Sequence, residues 1–220
     1  MSSAPKTAPR TRYHHGDLRN ALTVAALELA REGGPEALVL REAARRVGVS
    51  ATAAYRHFAG QRDLLIEVKN LALTALAEAL TAALDECDPD AEPGDLAVAR
   101  LRSAAHAYLN FAFTEPGLFN TAFCHDDPAD PGFSDEDLNY AGVEAFVVLG
   151  RLLDELVAAG RMSPQRRPNA EFASWATVHG VAVLFLNGPL RHLAEAERAA
   201  AIERAIDVHI RGLICDEAIE

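Results

Sequence analysis

From Asp17 to Cys215 the apolar residues recur with a helical period, in segments cut apart by Gly and Pro, and nowhere do they alternate as a strand would. Leu18, Leu22, Ala25, Ala26 and Leu29 form one stripe, which Gly33-Gly34-Pro35 ends. A short helix follows over Leu40 to Val47, with Leu40, Ala43, Ala44 and Val47 inward, and Gly48 breaks it. A second short helix, Ser50 to Phe58, takes Ser50 as its cap and ends at Ala59-Gly60. A long helix then runs from Gln61 to Glu86. Beyond the turn at Pro89, Pro93 and Gly94, a helix spans Leu96 to Thr114. Pro116-Gly117 precedes a short aromatic segment, Leu118 to Phe123, and a loop rich in Asp and Pro, Asp126 to Phe133. Ser134 with Asp137 forms a capping-box variant opening a helix that runs to Ala159 and stops at Gly160. After a polar linker, Ser163 to Pro168, two helices remain: Asn169 to Asn187 and Glu195 to Cys215. The pattern predicts an all-α chain of about nine helices.

Half of the 220 residues are apolar and 24% are charged, which is enough apolar mass for a core. The first residues are polar and basic with no apolar signal region, and the longest strongly apolar run is Val181 to Leu186. That run falls far short of the roughly 20 residues a bilayer requires, so no membrane partner and a cytoplasmic location are expected. Three cysteines, Cys87, Cys124 and Cys215, are odd in number and widely spaced, which argues for reduced thiols rather than a disulfide framework.

A net charge of −11 looks wrong for a nucleic-acid partner, but its distribution does not. Residues 1–69 carry 11 Lys/Arg against 7 Asp/Glu, while residues 70–220 carry 10 against 25. A basic head on an acidic body confines any contact with DNA to the head and repels DNA elsewhere. Two short helices joined by a Gly turn are the geometry that such a contact uses. The first braces across the backbone and the second enters the major groove, about 12 Å wide. With Val47, Val49, Ala54 and Phe58 turned inward, Ser50, Ala51, Thr52, Ala53, Tyr55, Arg56 and His57 face outward or forward. Ala and Thr methyls can touch thymine methyls, and Ser, Thr and His can hydrogen-bond base edges or phosphates.

The stretch from Tyr13 to Lys69 resembles the DNA-binding domain of the tetracycline-repressor (TetR) family, above all in A-x-x-x-G-V-S at Ala44 to Ser50, then A-Y-R-H-F at Ala54 to Phe58, then Asp63-Leu64-Leu65. The resemblance implies that Arg41 and Arg45 contact backbone or outer bases, that Ala51 to Ala53 face bases, and that Tyr55 and His57 grip phosphate. It also implies that Gln61 and Arg62, at the start of the long helix, meet phosphate with free N–H groups. Two positions depart from the usual pattern. Val39 stands where Thr or Ser is common, and Gln61 where Lys is common; both weaken the phosphate grip, for which Arg62 and an arm carrying Lys6, Arg10 and Arg12 can compensate. The organisation expected is a flexible basic arm over 1–12, a reading domain over 13–69 with its helix-turn-helix at 39–58, and an effector-binding and dimerisation domain over 70–220.

In the body, Trp175-Ala-Thr-Val-His179-Gly180 resembles the W-x-x-x-H-G signature of one TetR regulatory subfamily. Trp175 and His179 share a helix face, as wall of a ligand pocket, part of a dimer seam, or a packed pair. Tyr108, Phe111, Phe113, Phe119, Phe123 and Phe146 are further pocket candidates, open to the alternative that they only pack the core. The helix from Asn169 is apolar on every face, more than a lone subunit can cover. Dimerisation through the last two helices is implied by the resemblance, with Val178, Val181, Phe185, Ile202, Ile206, His209 and Leu213 as seam candidates. The partners expected are therefore a double-stranded, near-palindromic operator, a second copy of the chain and a small-molecule effector that releases a repressor. The acidic body hints at cationic effectors, although surface charge does not set pocket charge.

Cys124-His125-Asp126-Asp127 and His14-His15 invite a metal reading, but adjacent residues bind one ion poorly and no second cluster has matching spacing, so no metal is expected. No nucleophile–base order, P-loop or dinucleotide fingerprint occurs, so neither an enzyme nor a cofactor is expected. The competing reading is an all-helical small-molecule carrier or scaffold without DNA activity, against which the basic head argues.

Overall fold

A computed structural model describes residues 15–124 and 142–214. Among them it has nine α-helices and no strand: α1 (His15–Gly33), α2 (Leu40–Val47), α3 (Ala51–Ala54), α4 (Gln61–Asp85), α5 (Pro93–Thr114), α6 (Pro116–Ala122), α7 (Gly142–Ala158), α8 (Ala170–Leu186) and α9 (Glu195–Ile214). None of them is long and apolar enough to cross a membrane.

The head forms around α1, whose stripe of Leu22, Ala26, Leu29 and Ala30 is buried against α2 and α4. Gly34, at φ 69, reverses the chain into a single 3-10 turn, Pro35–Ala37, and delivers Leu38 to the core. In α2 the inner residues Leu40, Ala43 and Ala44 are buried, and the helix ends at Gly48 in the left-handed conformation, φ 77. There the Val49 N–H bonds back to the Ala44 carbonyl at 3.0 Å, which closes the helix as left-handed glycine ends do. Small side chains at Ala43, Ala44 and Ala54 let the two short helices approach closely.

The second short helix is shorter than the sequence implies. Regular α-helix covers only Ala51–Ala54, capped by Ser50 Oγ, which accepts from the Ala53 N–H at 3.2 Å. Tyr55 to Phe58 continue as tight turns, with Arg56 N–H to Ala53 O at 3.2 Å and His57 N–H to Ala54 O at 2.9 Å. Such i→i+3 bonds overwind the chain and swing Phe58 fully into the core.

α4 runs unbroken from head to body. Leu64, Leu65 and Val68 are buried at its start, and Leu73, Leu76 and Leu80 farther along. α5 begins at Pro93 rather than Leu96, since proline suits the first helical turn. The aromatic segment after Pro116-Gly117 is a true helix, α6, wedged between α1, α4 and α5. Gly117 makes that wedge possible: a Cβ there would overlap the Ala30 carbonyl oxygen and stand 2.5 Å from that of Arg31. The start of α7 expected at Ser134 and Asp137 lies outside the described residues, as do the arm and Cys215. The polar linker holds one 3-10 turn, Pro164–Arg166. α5 packs against α4, α7 and α8, and α9 closes on α8 and α5, so the body surrounds an apolar interior.

Candidate nucleic-acid interface and ligand cavity

On the head, the burial pattern separates support from presentation. Phe58 and Ala54 are wholly buried, and Val47 and Val49 pack against the same core. Arg41, Ser50, Thr52, Tyr55 and Arg56 are exposed, Ala51, Ala53 and His57 partly so, and Tyr55 presents 47% of its surface. All of these lie on or beside α2 and α3. Gln61 and Arg62 are exposed at the first turn of α4, whose N-cap, Gly60, provides no side-chain acceptor, so the opening N–H groups face outward unbonded by a cap. Val39, likewise, caps α2 without a side-chain bond.

Arg45 is differently placed from Arg41. Its guanidinium clasps Glu42 through Nε at 2.8 Å and Nη2 at 2.7 Å, and the Arg45 hydrogen bond holds the Glu42 carboxyl below its usual pKa. A phosphate must therefore compete with Glu42 for Arg45. Arg46 instead ties α2 to α1 through both oxygens of Glu32, at 2.8 and 2.5 Å.

Arg19 was given no role by the sequence, although it falls inside the stretch that resembles the TetR head. It donates to the His57 carbonyl at 2.5 Å and to Glu67 at 3.0 Å, while its guanidinium carbon lies 4.3 Å over the Phe58 ring. One side chain of α1 thereby fixes the turn after α3 against α4. Nothing in helical periodicity distinguishes such a clamp from a solvated arginine.

In the body, α4, α5, α7, α8 and α9 surround an apolar cavity that opens to solvent. Tyr108, Phe123, Phe146 and Trp175 line it. Phe111, Phe119 and His179 do not: Phe111 and Phe119 are buried in the core, and His179 stands behind Tyr108. Phe113 is outside the lining too, beneath the Arg198 guanidinium at 5.1 Å. Aromatic residues on one helix cannot all face one cavity, because a period of 3.6 spreads neighbours around the axis.

Trp175 and His179 do share a face, with ring centroids 5.9 Å apart. They are joined through Tyr108: the indole N–H donates to the Tyr108 oxygen at 3.2 Å, and the Tyr108 hydroxyl lies 2.8 Å from His179 Nδ1. Burial holds the Tyr108 phenol well above its usual pKa and pushes His179 down, so the pair is a protonated phenol beside an imidazole biased to its neutral form. A second polar cluster borders the cavity where His209 Nε2 lies 2.8 Å from Ser174 Oγ and Nδ1 lies 3.4 Å from Thr177 Oγ1. Ser174 directs its hydroxyl to the Ala170 carbonyl at 2.9 Å, and the group beyond His209 is Thr177 rather than a carboxylate, so the pair lacks the relay of an activated serine.

Of the seam candidates, Phe185, Ile206 and Leu213 are buried inside their own subunit, while Val178, Val181, Ile202 and His209 remain partly exposed, Val178 and His209 also lining the cavity. The apolar residues these helices expose are Phe172 (60%), Val183 and Leu184 on α8, and Val208 (56%) on α9. On a helix apolar all round, periodicity identifies stripes without saying which one turns outward.

Between head and body, Lys69 Nζ on α4 donates to the Cys124 carbonyl just past α6 at 2.9 Å, and Arg31 pairs with Glu115 at 3.3 Å; within the body the Asn187 amide donates to Asn120 at 2.9 Å. Of the suspected metal cluster, His125, Asp126 and Asp127 lie outside the described residues, as does His14, and nothing is described of the His15 side chain. Among the described residues no three His, Cys, Asp or Glu side chains gather as a metal site would require.

Two family models match the chain: bacterial regulatory proteins, tetR family, over residues 22–68, and the tetracyclin repressor-like C-terminal domain over residues 101–209. Solved structures align over nearly its whole length. A protein of unknown function from Rhodococcus sp. RHA1 is 29% identical, with TM-score 0.74, covering 94% of this chain and all (100%) of that one. The TetR-family regulator PfmR of Thermus thermophilus is 22% identical with TM-score 0.58, covering 91% and 97%. NalD, the secondary repressor of the MexAB-OprM multidrug efflux pump in Pseudomonas aeruginosa, is 23% identical with TM-score 0.58, covering 93% and 100%. The last two likenesses show the fold alone. No curated protein sequence matches the chain.

Proposed function

The chain belongs to the TetR family of DNA-binding transcriptional regulators, and from that premise we propose that it is a repressor released from a near-palindromic operator by a small molecule held in the body cavity. Residues 13–69 are the reading head in this account, 70–220 the effector and pairing body, and 1–12 a basic arm. Arg41, Ser50 to Ala53, Tyr55, Arg56, His57, Gln61 and Arg62 meet the duplex, with Arg45 recruited from Glu42. The observation that carries the reading is the exposure of Thr52, Tyr55 and Arg56 on a capped turn whose opposite side, Ala54 and Phe58, is wholly buried. Such a surface is anchored from behind, and its exposed side offers hydroxyl and guanidinium groups to a groove.

Family members generally act as dimers, and the exposed apolar face of Phe172, Val183, Leu184 and Val208 is the seam this chain offers. Two elements connect cavity to head. α4 gives Leu73, Leu76 and Leu80 to the cavity wall and Leu64 and Val68 to the head core. α6 leads to Phe123 at the wall and sets Gly117 against α1. A ligand that prefers one arrangement of these helices changes the separation of the two heads, and operator affinity falls by the coupling, about 1–3 kcal/mol.

The test is operator binding by a Tyr55→Ala variant. The account expects binding to be lost while helicity and dimerisation are kept. Unchanged affinity would remove Tyr55 and α3 from the interface.

A further inference from the structure

The cavity wall is chemically one-sided. Among the described residues that line it there is no Asp, Glu, Lys or Arg, although the chain as a whole carries 53 of 220 residues charged as 21 Lys/Arg and 32 Asp/Glu. The polar side chains in that lining belong to Tyr108, Ser174, Thr177, Trp175 and His209. The rest is aliphatic or aromatic carbon. An ionised ligand placed against these described residues leaves water without gaining a counter-charge from them, which is among the costliest transfers in a protein interior.

Proton bookkeeping at the His209 end narrows the ligand further. Ser174, Thr177 and a neutral His209 hold three protons between them. Four contacts take them up: Ser174 to the Ala170 carbonyl at 2.9 Å, Thr177 to the Ala173 carbonyl at 2.8 Å, His209 Nε2 with Ser174 at 2.8 Å, and His209 Nδ1 with Thr177 at 3.4 Å. Whichever tautomer His209 adopts, the protons are used up before the contacts are. The cluster therefore has lone pairs to spare and no donor to spare. The long 3.4 Å contact is the one left short of a proton when the two hydroxyls serve their carbonyls. Burial pushes His209 below its usual pKa, which keeps the imidazole neutral and leaves that lone pair in place.

Resting on the reading of this cavity as the effector site, we propose that the effector is a neutral, predominantly apolar molecule that donates one hydrogen bond, from a hydroxyl or an N–H, to the cluster of Ser174, Thr177 and His209.

The chain's single tryptophan, Trp175, stands in the wall and reports occupancy by its fluorescence. The full-length protein is titrated with four probes sharing one ten-carbon chain: 1-decanol, decyl methyl ether, decanoate and decyltrimethylammonium. The expected order is decanol tightest, the ether about 10-fold weaker for want of a donor, and both ions at least about 100-fold weaker. In His209→Leu, decanol and ether bind alike; if that variant does not fold, the ranking of the four probes on the native chain decides. An ion that matches decanol overturns the neutral assignment, and an ether that matches decanol overturns the donor assignment, as does failure of all four to perturb Trp175. Ala105→Phe, which fills the cavity from α5, separates the two levels of the argument. It should block decanol and leave operator binding intact but unresponsive to it. Should decanol still bind and release DNA from that variant, the cavity is not the effector site and the underlying reading falls with the proposal.

Discussion

Head and body are both helical and both packed around leucine and alanine, yet they are specified in opposite ways. In the head each turn has a local cause. Gly34 and Gly48 take left-handed conformations, Ser50 caps α3, and three alanines set the spacing of two short helices. Few alternatives satisfy those constraints together, and the exposed residues are left in one register. In the body the helices are long and apolar on several faces, and α8 exposes Phe172 and Leu184 while burying Ser174 and Phe185. Its arrangement is settled by which stripe meets which, and it retains a cavity. A locally specified reader joined to a body that keeps a cavity suits the ligand control proposed above, in which only one of the two has to change shape.

The sharpest way to break this contrast is Phe58→Ala. It empties the centre of the head and removes the ring beneath Arg19, at a cost of about 3–5 kcal/mol. Operator binding should vanish while decanol binding at Trp175 persists; loss of both in equal measure would mean that head and body are a single cooperative unit. Gly117→Ala comes next. A Cβ that overlaps a backbone oxygen forces α6 and α1 apart, for about 1–3 kcal/mol of destabilisation. Because it acts at the junction, thermal unfolding and operator affinity should both shift, and an unaltered operator affinity would deny α6 a part in coupling.

Ser50→Ala should cost about 1 kcal/mol through the lost cap. Chemical denaturation measures it, and the change should be confined to the head. The gentlest probe is pH. His179 and His209, both in the body, have folded-state pKa values lowered by burial. The unfolded chain therefore binds more protons than the folded one as pH falls through the ordinary histidine value, about 6.5. Stability of the body should be complete above that value and decline below it, as read by Trp175 fluorescence in urea. A rise in stability on acidification would contradict buried neutral imidazoles.

The same contrast explains what could be read from the residues alone. The bounds of α1, α2 and α4 follow from Gly, Pro and one continuous stripe, and they were legible to within a residue or two. α3 was not, because the overwound turns that carry Tyr55 to Phe58 arise from tertiary pull on Phe58 rather than from any helix signal. Cavity walls were half legible. Tyr108 and Trp175 fall on the lining, while Phe111 and Phe119, chemically indistinguishable in sequence, fall in the core. The outward stripe of α8 and α9 was not legible, since Ile206 and Val208 carry the same hydrophobic signal and only packing decides that one is buried and the other exposed. Arg19 and Gly117 act through close three-dimensional approach, which leaves no local trace.

The claim on which the account depends is that two copies of the head present α3 to successive grooves of one duplex. Protection mapping on genomic fragments selected by the purified full-length protein measures this directly. The account predicts two related half-sites with centres about 10–10.5 base pairs, or a multiple of that, apart, with protection lost in Tyr55→Ala. Retention of no fragment at low salt, or protection of a single unpaired site, would contradict it.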